Sequence, residues 1–337
     1  MAQSANMDAS ELARDIAAGL ASATTATERA ALVPAELVEA IRQLKTQRDA
    51  VILAHYYVAP EVQAVADYVG DSFYLAKLAK SLPQQAIVLC GVEFMGESAK
   101  LLNPTKTVLL PEPGADCPMA HMVKRETVEA ARERYGDDLA VACYVNSTVE
   151  VKSWSDVCVT SSNAVKIVSE LPQHHVLFIP DRNLGRYVAE QVPDKHIILN
   201  QGCCPRHEEV SLDELRELKA QHPAARVLAH PECTEQVLAE ADYIGATSGI
   251  IAAAEASDAD EFIVVTVRGV LYELQRRCPS KRFYFTHTPP TCRDMDMVTL
   301  EKVAACLETG LGEVAVDPAA APQAKLTLDR MLEYAAR

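Results

Sequence analysis

Cysteine, histidine, tyrosine and glutamate recur at regular intervals in this chain, and their types limit the chemistry they can share. Cys117, Cys204 and Cys292 lie 87 and 88 residues apart. Three thiolates are a soft ligand set for iron or zinc, but at such separations they can meet only if the fold itself repeats. His55 and Tyr57, Tyr144 and Asn146, and His230 and Glu232 form a second set, at steps of 89 and 86 residues. An imidazole near its neutral pKa and a carboxylate in a dry cavity are proton-transfer groups. Ser72, Ser161 and Thr247 form a third set at the same steps. A hydroxyl placed where a helix begins, beside free backbone N–H groups, can hold a carboxylate or phosphate; the plainer reading is a helix N-cap.

Three thiolates without a nearby fourth suit a [4Fe-4S] cluster with one iron left open, or a three-cysteine zinc site completed from elsewhere, and spacing does not separate the two. Neither a ferredoxin-type run nor a CxxC pair is present. Cys203 stands beside Cys204, but Cys117-Pro118 and Cys204-Pro205 match each other, which favours Cys204 as the ligand. The remaining cysteines read as packing: Cys90, Cys143, Cys158 and Cys306 lie in apolar segments, and Cys233 and Cys278 have no counterparts at the common step. His121, His174, His175, His196, His222 and His287 read as surface or structural side chains.

The elements that must position these groups follow the same period. Strands are expected at Val51–Ala54, at the segment ending in Cys143 and at the segment ending in Ala229, followed by blocks around Asp67, Asp156 and Asp242. Third strands are expected at 87–90, 176–179 and 262–265, and fourth strands at 107–110, 196–199 and 282–285, each fourth strand running into a loop that carries a cysteine. Short apolar strands alternating with helical stretches predict parallel α/β layers. The fold class is therefore α/β: three homologous three-layer αβα units with parallel sheets around a pseudo-threefold axis, and an active site at their central interface. The expected organisation is an N-terminal extension over 1–34, units over 35–121, 122–210 and 211–296, and a C-terminal helical segment over 297–337 that packs back on the core. Functional groups in such units gather at the carboxyl ends of strands, which is where all three polar sets fall.

Composition narrows the partners. Of 337 residues 49% are hydrophobic, enough for more than one packed unit. Asp and Glu number 47 against 32 Lys and Arg, a balance that disfavours nucleic acid and anionic membrane surfaces. No apolar run reaches the roughly 20 residues of a bilayer span, and the start lacks a signal-peptide pattern, so a cytoplasmic location and a small-molecule partner are expected. Ten cysteines in a reducing compartment do not make a disulfide framework.

Together the blocks Ala54-His55-Tyr56-Tyr57, Val69-Gly70-Asp71-Ser72, Gly91-Val92-Glu93-Phe94-Met95, Asp116-Cys117-Pro118-Met119-Ala120, Tyr144-Val145-Asn146-Ser147, Pro180-Asp181-Arg182-Asn183-Leu184-Gly185, Cys204-Pro205-Arg206-His207 and His230-Pro231-Glu232-Cys233 resemble the quinolinate synthase family over about residues 45 to 300. The resemblance implies a threefold αβα fold with a [4Fe-4S] cluster on Cys117, Cys204 and Cys292. It implies a condensing enzyme of transferase or lyase type, joining iminoaspartate to dihydroxyacetone phosphate in NAD biosynthesis, with L-aspartate oxidase upstream. Tyr57 and Glu232 are implied in acid/base work, with His55 and Tyr144 in the same catalytic set. Substrate contacts are implied for His55, Ser72, Tyr144, Asn146, Ser161, His207, His230, Glu232 and Thr247. Some members carry a CxxCxxC run before the third ligand; here Cys292 stands alone. A hydratase using the open iron, or a non-enzymatic zinc protein or iron-sulfur sensor, would share the cysteines without needing all the strand-end groups.

Overall fold

The computed structural model describes residues 35–337; the expected N-terminal extension lies outside the described residues. Twelve strands form three separate four-stranded sheets, and every strand pair within them is parallel. The first sheet holds β1 (Ala50–His55), β2 (Tyr68–Gly70), β3 (Ala86–Cys90) and β4 (Thr107–Leu109) in the order 2-1-3-4. The second repeats that order with β5 (Leu139–Tyr144), β6 (Val157–Val159), β7 (His175–Ile179) and β8 (His196–Leu199). In the third the same places are taken by β9 (Arg226–Ala229), β10 (Tyr243–Ile244), β11 (Glu261–Val265) and β12 (Arg282–Tyr284). Helices connect the strands, giving the three αβα units expected from the repeat.

The registers are equivalent as well as the order. Ala54 pairs with Cys90, Cys143 with Ile179, and Ala229 with Val265. Central strands β1, β3 and β5 are buried along their whole length, so AVILAH, AIVLC and LAVACY read as almost unbroken apolar runs rather than alternating ones. The third unit shows the two-faced packing most clearly. Leu228, Phe262 and Val264 enter one apolar cluster, while Val227, Ala229, Ile263 and Val265 enter another on the opposite face.

The recurring aspartate has a structural cause. Asp67, Asp156 and Asp242 each stand just before the short edge strand and reach back to the first strand of their unit. Their carboxylates accept from the backbone N–H of Ile52 (2.8 Å), Val141 (2.7 Å) and Val227 (2.7 Å), and their own N–H groups donate to the carbonyls of the same three residues. One side chain thus closes the crossover and fixes the entry of the first strand in all three units.

The chain after Met297 returns to the first two units. Helix Leu300–Thr309 packs against helix Ala35–Gln47, and helix Ala321–Ala336 lies across Val149–Ser153, β6 and Glu93–Leu102. Between them the backbone runs antiparallel beside β4, with Leu110 N–H donating to Gly312 O (2.9 Å) and Val314 N–H to Val108 O (2.8 Å). Gly312 has φ +89°, and a Cβ there would stand 2.2 Å from Leu110 O, so this approach requires glycine.

Candidate active site

At the carboxyl ends of the central strands the three units enclose a cavity with about 680 Å³ of empty space, part of it open to solvent. Each unit contributes equivalent positions: His55, Tyr57, Ser72 and Cys117 from the first, Tyr144, Asn146, Ser161 and Cys204 from the second, and His230, Glu232, Thr247 and Cys292 from the third. His207 completes the set, so every residue singled out in the sequence lines this one space. Cys203 does not; it lies toward Arg182 and Glu208.

The cysteines share one local geometry. Cys117 is the N-cap of the short helix Pro118–His121, Cys204 of Pro205–Glu208 and Cys292 of Arg293–Asp296, and none caps through its side chain in the ordinary way. Backbone N–H groups of the first turn still favour the thiolates without forming a cap hydrogen bond: Met119 and Ala120 for Cys117, His207 for Cys204, and Met295 and Asp294 for Cys292. Burial drives the other way, raising the Cys117 and Cys204 thiols well above their usual range and Cys292 to about 11. Three thiols with inward N–H donors, unfavourable as free thiolates in a dry cavity, fit a group that supplies positive charge at its centre. An iron-sulfur cluster is such a group.

Ser72, Ser161 and Thr247 are not the N-caps that the plainer reading predicts. Asp71 caps helix Ser72–Ala79 and accepts from Tyr74 N–H at 2.9 Å, Ala246 occupies the cap position of Thr247–Ala256, and Asn163 that of Ala164–Glu170. Ser72 and Thr247 are the first helical residues, while Ser161 sits two residues before its cap. Their side chains are thereby released from capping and line the cavity.

A hydrogen-bond chain crosses all three units. Tyr57 Oη lies 2.7 Å from Thr247 Oγ1 and 2.8 Å from Thr266 Oγ1. Thr266 Oγ1 is 2.9 Å from His207 Nε2, and His207 Nδ1 is 2.7 Å from Glu232 Oε2 and 3.2 Å from Cys204 Sγ. On its other oxygen Glu232 accepts from the Tyr144 hydroxyl at 2.6 Å. An ionised carboxylate only accepts, which orients this end of the chain: His207 Nδ1–H and Tyr144 O–H donate to Glu232.

Charge states follow from this packing. Burial lowers His55 to about 4 and His230 to about 3, with the Glu232 charge opposing in both, so the two imidazoles are neutral at pH 7. For Glu232 burial opposes the charge, and the hydrogen-bond donors around it, His207 and the Tyr144 hydroxyl, overcome it and hold the carboxyl ionised well below its usual range. Burial, reinforced by Glu232, raises both Tyr57 and Tyr144 and keeps them as O–H donors. Around the hydrogen-bond chain the cavity therefore presents the Glu232 carboxylate, the neutral imidazoles of His55 and His230 and two protonated phenols.

Residues outside the predicted set hold the machinery in place. Asp181, fully buried, caps helix Arg182–Gln191 and accepts from Cys204 N–H at 3.2 Å; burial and the Glu232 charge push it up to about 8. Asn183 donates to the Glu232 carbonyl at 3.0 Å and to Glu208 at 2.7 Å. Gln63 donates to the carbonyls of Tyr56, Val58 and Gly269, tying the Tyr57 loop to the third unit. Fully buried Lys152 donates to the carbonyl of Ser147, beneath the Tyr144–Asn146 loop. Asp71, Thr160 and Arg206 also line the cavity. Asp71, Thr160, Asp181, Asn183 and Arg206 fall inside blocks visible in the sequence, whereas Thr266 and Gln63 carried no signal beyond lying near strand ends.

The family model NadA, Quinolinate synthetase A protein, matches residues 39–333. Among curated relatives, the quinolinate synthase of Fusobacterium nucleatum is 50% identical over 295 residues, covering 88% of this chain and 98% of its own length. That of Methanosarcina barkeri is 46% identical over 298 residues (88% and 97%), and that of Clostridioides difficile 45% over 282 residues (84% and 92%).

Proposed function

The chain belongs to the quinolinate synthase family, and on that premise we propose that it condenses iminoaspartate with dihydroxyacetone phosphate to give quinolinate, phosphate and water. The observation that carries this reading is the single cavity into which each of three equivalent units sends one cysteine, one strand-end pair of polar side chains and one hydroxyl. Residues 35–121, 122–210 and 211–296 are taken as those units.

Cys117, Cys204 and Cys292 would hold a [4Fe-4S] cluster, which would supply Lewis-acid chemistry for the dehydration that completes the pyridine ring. The chain's own groups do the rest. Both substrates are anions, and Ser72 and Thr247, at the first position of their helices, offer hydroxyls next to backbone N–H groups, with Ser161 completing a ring of anion contacts. Asn146 Oδ1 is buried without a protein partner and is available to a substrate N–H or hydroxyl. Glu232, ionised and hydrogen-bonded to Tyr144, takes protons from carbon or nitrogen during condensation and ring closure. Tyr57 donates, and its proton is replaced through Thr266 and His207. Neutral His55 and His230 orient carbonyl and hydroxyl groups without adding charge.

No helix among the described residues is long and apolar enough to cross a membrane. A cytoplasmic setting is proposed, where an L-aspartate oxidase supplies iminoaspartate. The test is an anaerobic assay for quinolinate from dihydroxyacetone phosphate and freshly generated iminoaspartate, with and without iron reconstitution. Cys117→Ser, Cys204→Ser and Cys292→Ser are each expected to lose iron and turnover, and Cys203→Ser to keep both. Full turnover in any of the first three overturns the reading.

A further inference from the structure

Cys204 faces two ways. It is one of the three cavity thiols, and it also converges with His207 and Glu232 on a separate point. Their ligand atoms all lie within 4.8 Å of one another, and no other group of three metal-ligating side chains among the described residues comes so close. His207 Nδ1 is 3.2 Å from Cys204 Sγ and 2.7 Å from Glu232 Oε2. Zinc bonds of about 2.0–2.3 Å in a tetrahedron place donors about 3.3–3.6 Å apart, so the two pairs that include His207 part slightly and Cys204 Sγ and Glu232 Oε2, within 4.8 Å of each other, settle to a like separation around the ion. The outer contacts of a zinc site are also in place: Thr266 holds His207 at Nε2, and Tyr144 holds the second oxygen of Glu232.

We propose that the cluster-free chain binds a single zinc ion through Cys204 Sγ, His207 Nδ1 and Glu232 Oε2, and that zinc and cluster exclude each other because both claim Cys204. Binding releases the Cys204 proton and moves the His207 proton from Nδ1 to Nε2, where it donates to Thr266 Oγ1. The divalent ion is then matched by one thiolate and one carboxylate, leaving a neutral site in a cavity where His207 and Glu232 are 1% and 4% exposed. Three protein ligands leave a fourth position for water, the pattern of an open zinc site rather than of a closed structural one. Cys117 and Cys292 take no part. The exclusion, though not the zinc site, rests on the cluster reading above.

The experiment uses the full chain, stripped of metal by chelator under anaerobic conditions and dialysed against zinc chloride, with cobalt(II) as the spectroscopic probe. One zinc per chain is expected, with a single sulfur-to-cobalt charge-transfer band in the cobalt form. A Cys117→Ser/Cys292→Ser double variant is expected to keep zinc at unchanged affinity. Cys204→Ser and Glu232→Gln should each weaken it by more than about tenfold, since loss of an outer hydrogen-bond partner alone costs about 10- to 100-fold. Loss of zinc in the double variant overturns the proposal, because the ion then sits on the three cysteines; so does the absence of zinc from the wild-type chain. Glu232→Gln is checked by its ability to take up iron and sulfide, which separates a lost ligand from a lost fold. Zinc-loaded wild type is expected to refuse cluster reconstitution until chelator is added, and simultaneous full occupancy by both overturns the exclusion. If the wild-type chain takes up no iron yet binds zinc as described, the cluster reading fails and the zinc site stands.

Discussion

Replacing Tyr144 with Phe tests whether the buried carboxylate at the centre of the site is held as the geometry implies. Tyr144 Oη donates to Glu232 Oε1 at 2.6 Å, and the two residues are 5% and 4% exposed, so water does not replace the lost donor. A hydrogen bond to a charged group contributes about 1.5–3 kcal/mol, and Phe keeps the ring's packing. Tyr144→Phe should therefore cost about 2 kcal/mol in urea denaturation at pH 7.5, while Tyr68→Phe, at a residue 37% exposed, should stay within about 0.5 kcal/mol. A double-mutant cycle with Glu232→Gln isolates the pair. Gln still accepts a neutral hydrogen bond worth about 1 kcal/mol, so the coupling measured should be about 1–2 kcal/mol. The same substitution should raise the Glu232 pKa by about one unit or more, since one unit corresponds to about 1.4 kcal/mol of differential stabilisation. Equal stability of Tyr144→Phe and Tyr68→Phe, or a coupling near zero, would refute the claim that this hydroxyl stabilises the Glu232 charge.

Three further outcomes follow from other parts of the fold. His55 is neutral in the folded chain because burial lowers it to about 4, whereas the unfolded residue protonates near 6.5. The unfolded state thus binds more protons between those values, and stability present above pH 6.5 is lost as pH falls: about 2 kcal/mol by pH 5 and about 3 in all from His55, a share that His55→Gln should remove from urea titrations at pH 7.5 and 5 while the like share of His230 stays. Gly269→Ala puts a Cβ 2.7 Å from the Tyr57 backbone across the boundary between first and third units; a loss of about 1–3 kcal/mol together with reduced turnover is expected, and unchanged kinetics would show that the Tyr57 loop tolerates displacement. Asp242→Ala leaves the Val227 N–H without its 2.7 Å acceptor and should cost about 1–3 kcal/mol by denaturation, with a similar loss at Asp156.

The frame was legible in the sequence because each element that repeats does so for a local reason. The apolar runs mark strands buried on both faces, and Asp67, Asp156 and Asp242 mark a carboxylate that closes each crossover. The Cys-Pro pairs mark short helices that start at a thiol, which also drew attention to Cys204 over Cys203. What escaped the sequence is what depends on contact between units. Thr266 matters because it stands between Tyr57 of the first unit and His207 of the second, and Gln63 because its amide reaches Gly269 of the third. Neither residue type nor period announces such a meeting. The capping role was also misleading at single-residue resolution: Asp71, one position before Ser72, takes the cap and so frees the serine.

The positions that repeat and those that diverge separate two demands on the same frame. At the ends of the first strands stand His55, Tyr144 and His230, and two residues later Tyr57, Asn146 and Glu232; after the second strands stand Asp71, Thr160 and Ala246, then Ser72, Ser161 and Thr247. Hydroxyls are kept in all three units and cysteine is kept unchanged, while the strand-end pairs differ from unit to unit. The proposed cluster would offer three equivalent sites to three thiolates, so the threefold frame would serve it best if its ligands stay alike. The two dissimilar substrates proposed above would have no such symmetry. Their proton transfers need one carboxylate, and a second Glu232 in the same cavity would repel the first and drive one of them neutral. The divergence of the strand-end pairs thus follows from placing one acid/base chain, Tyr57 through Glu232 to Tyr144, across three units that each supply only part of it.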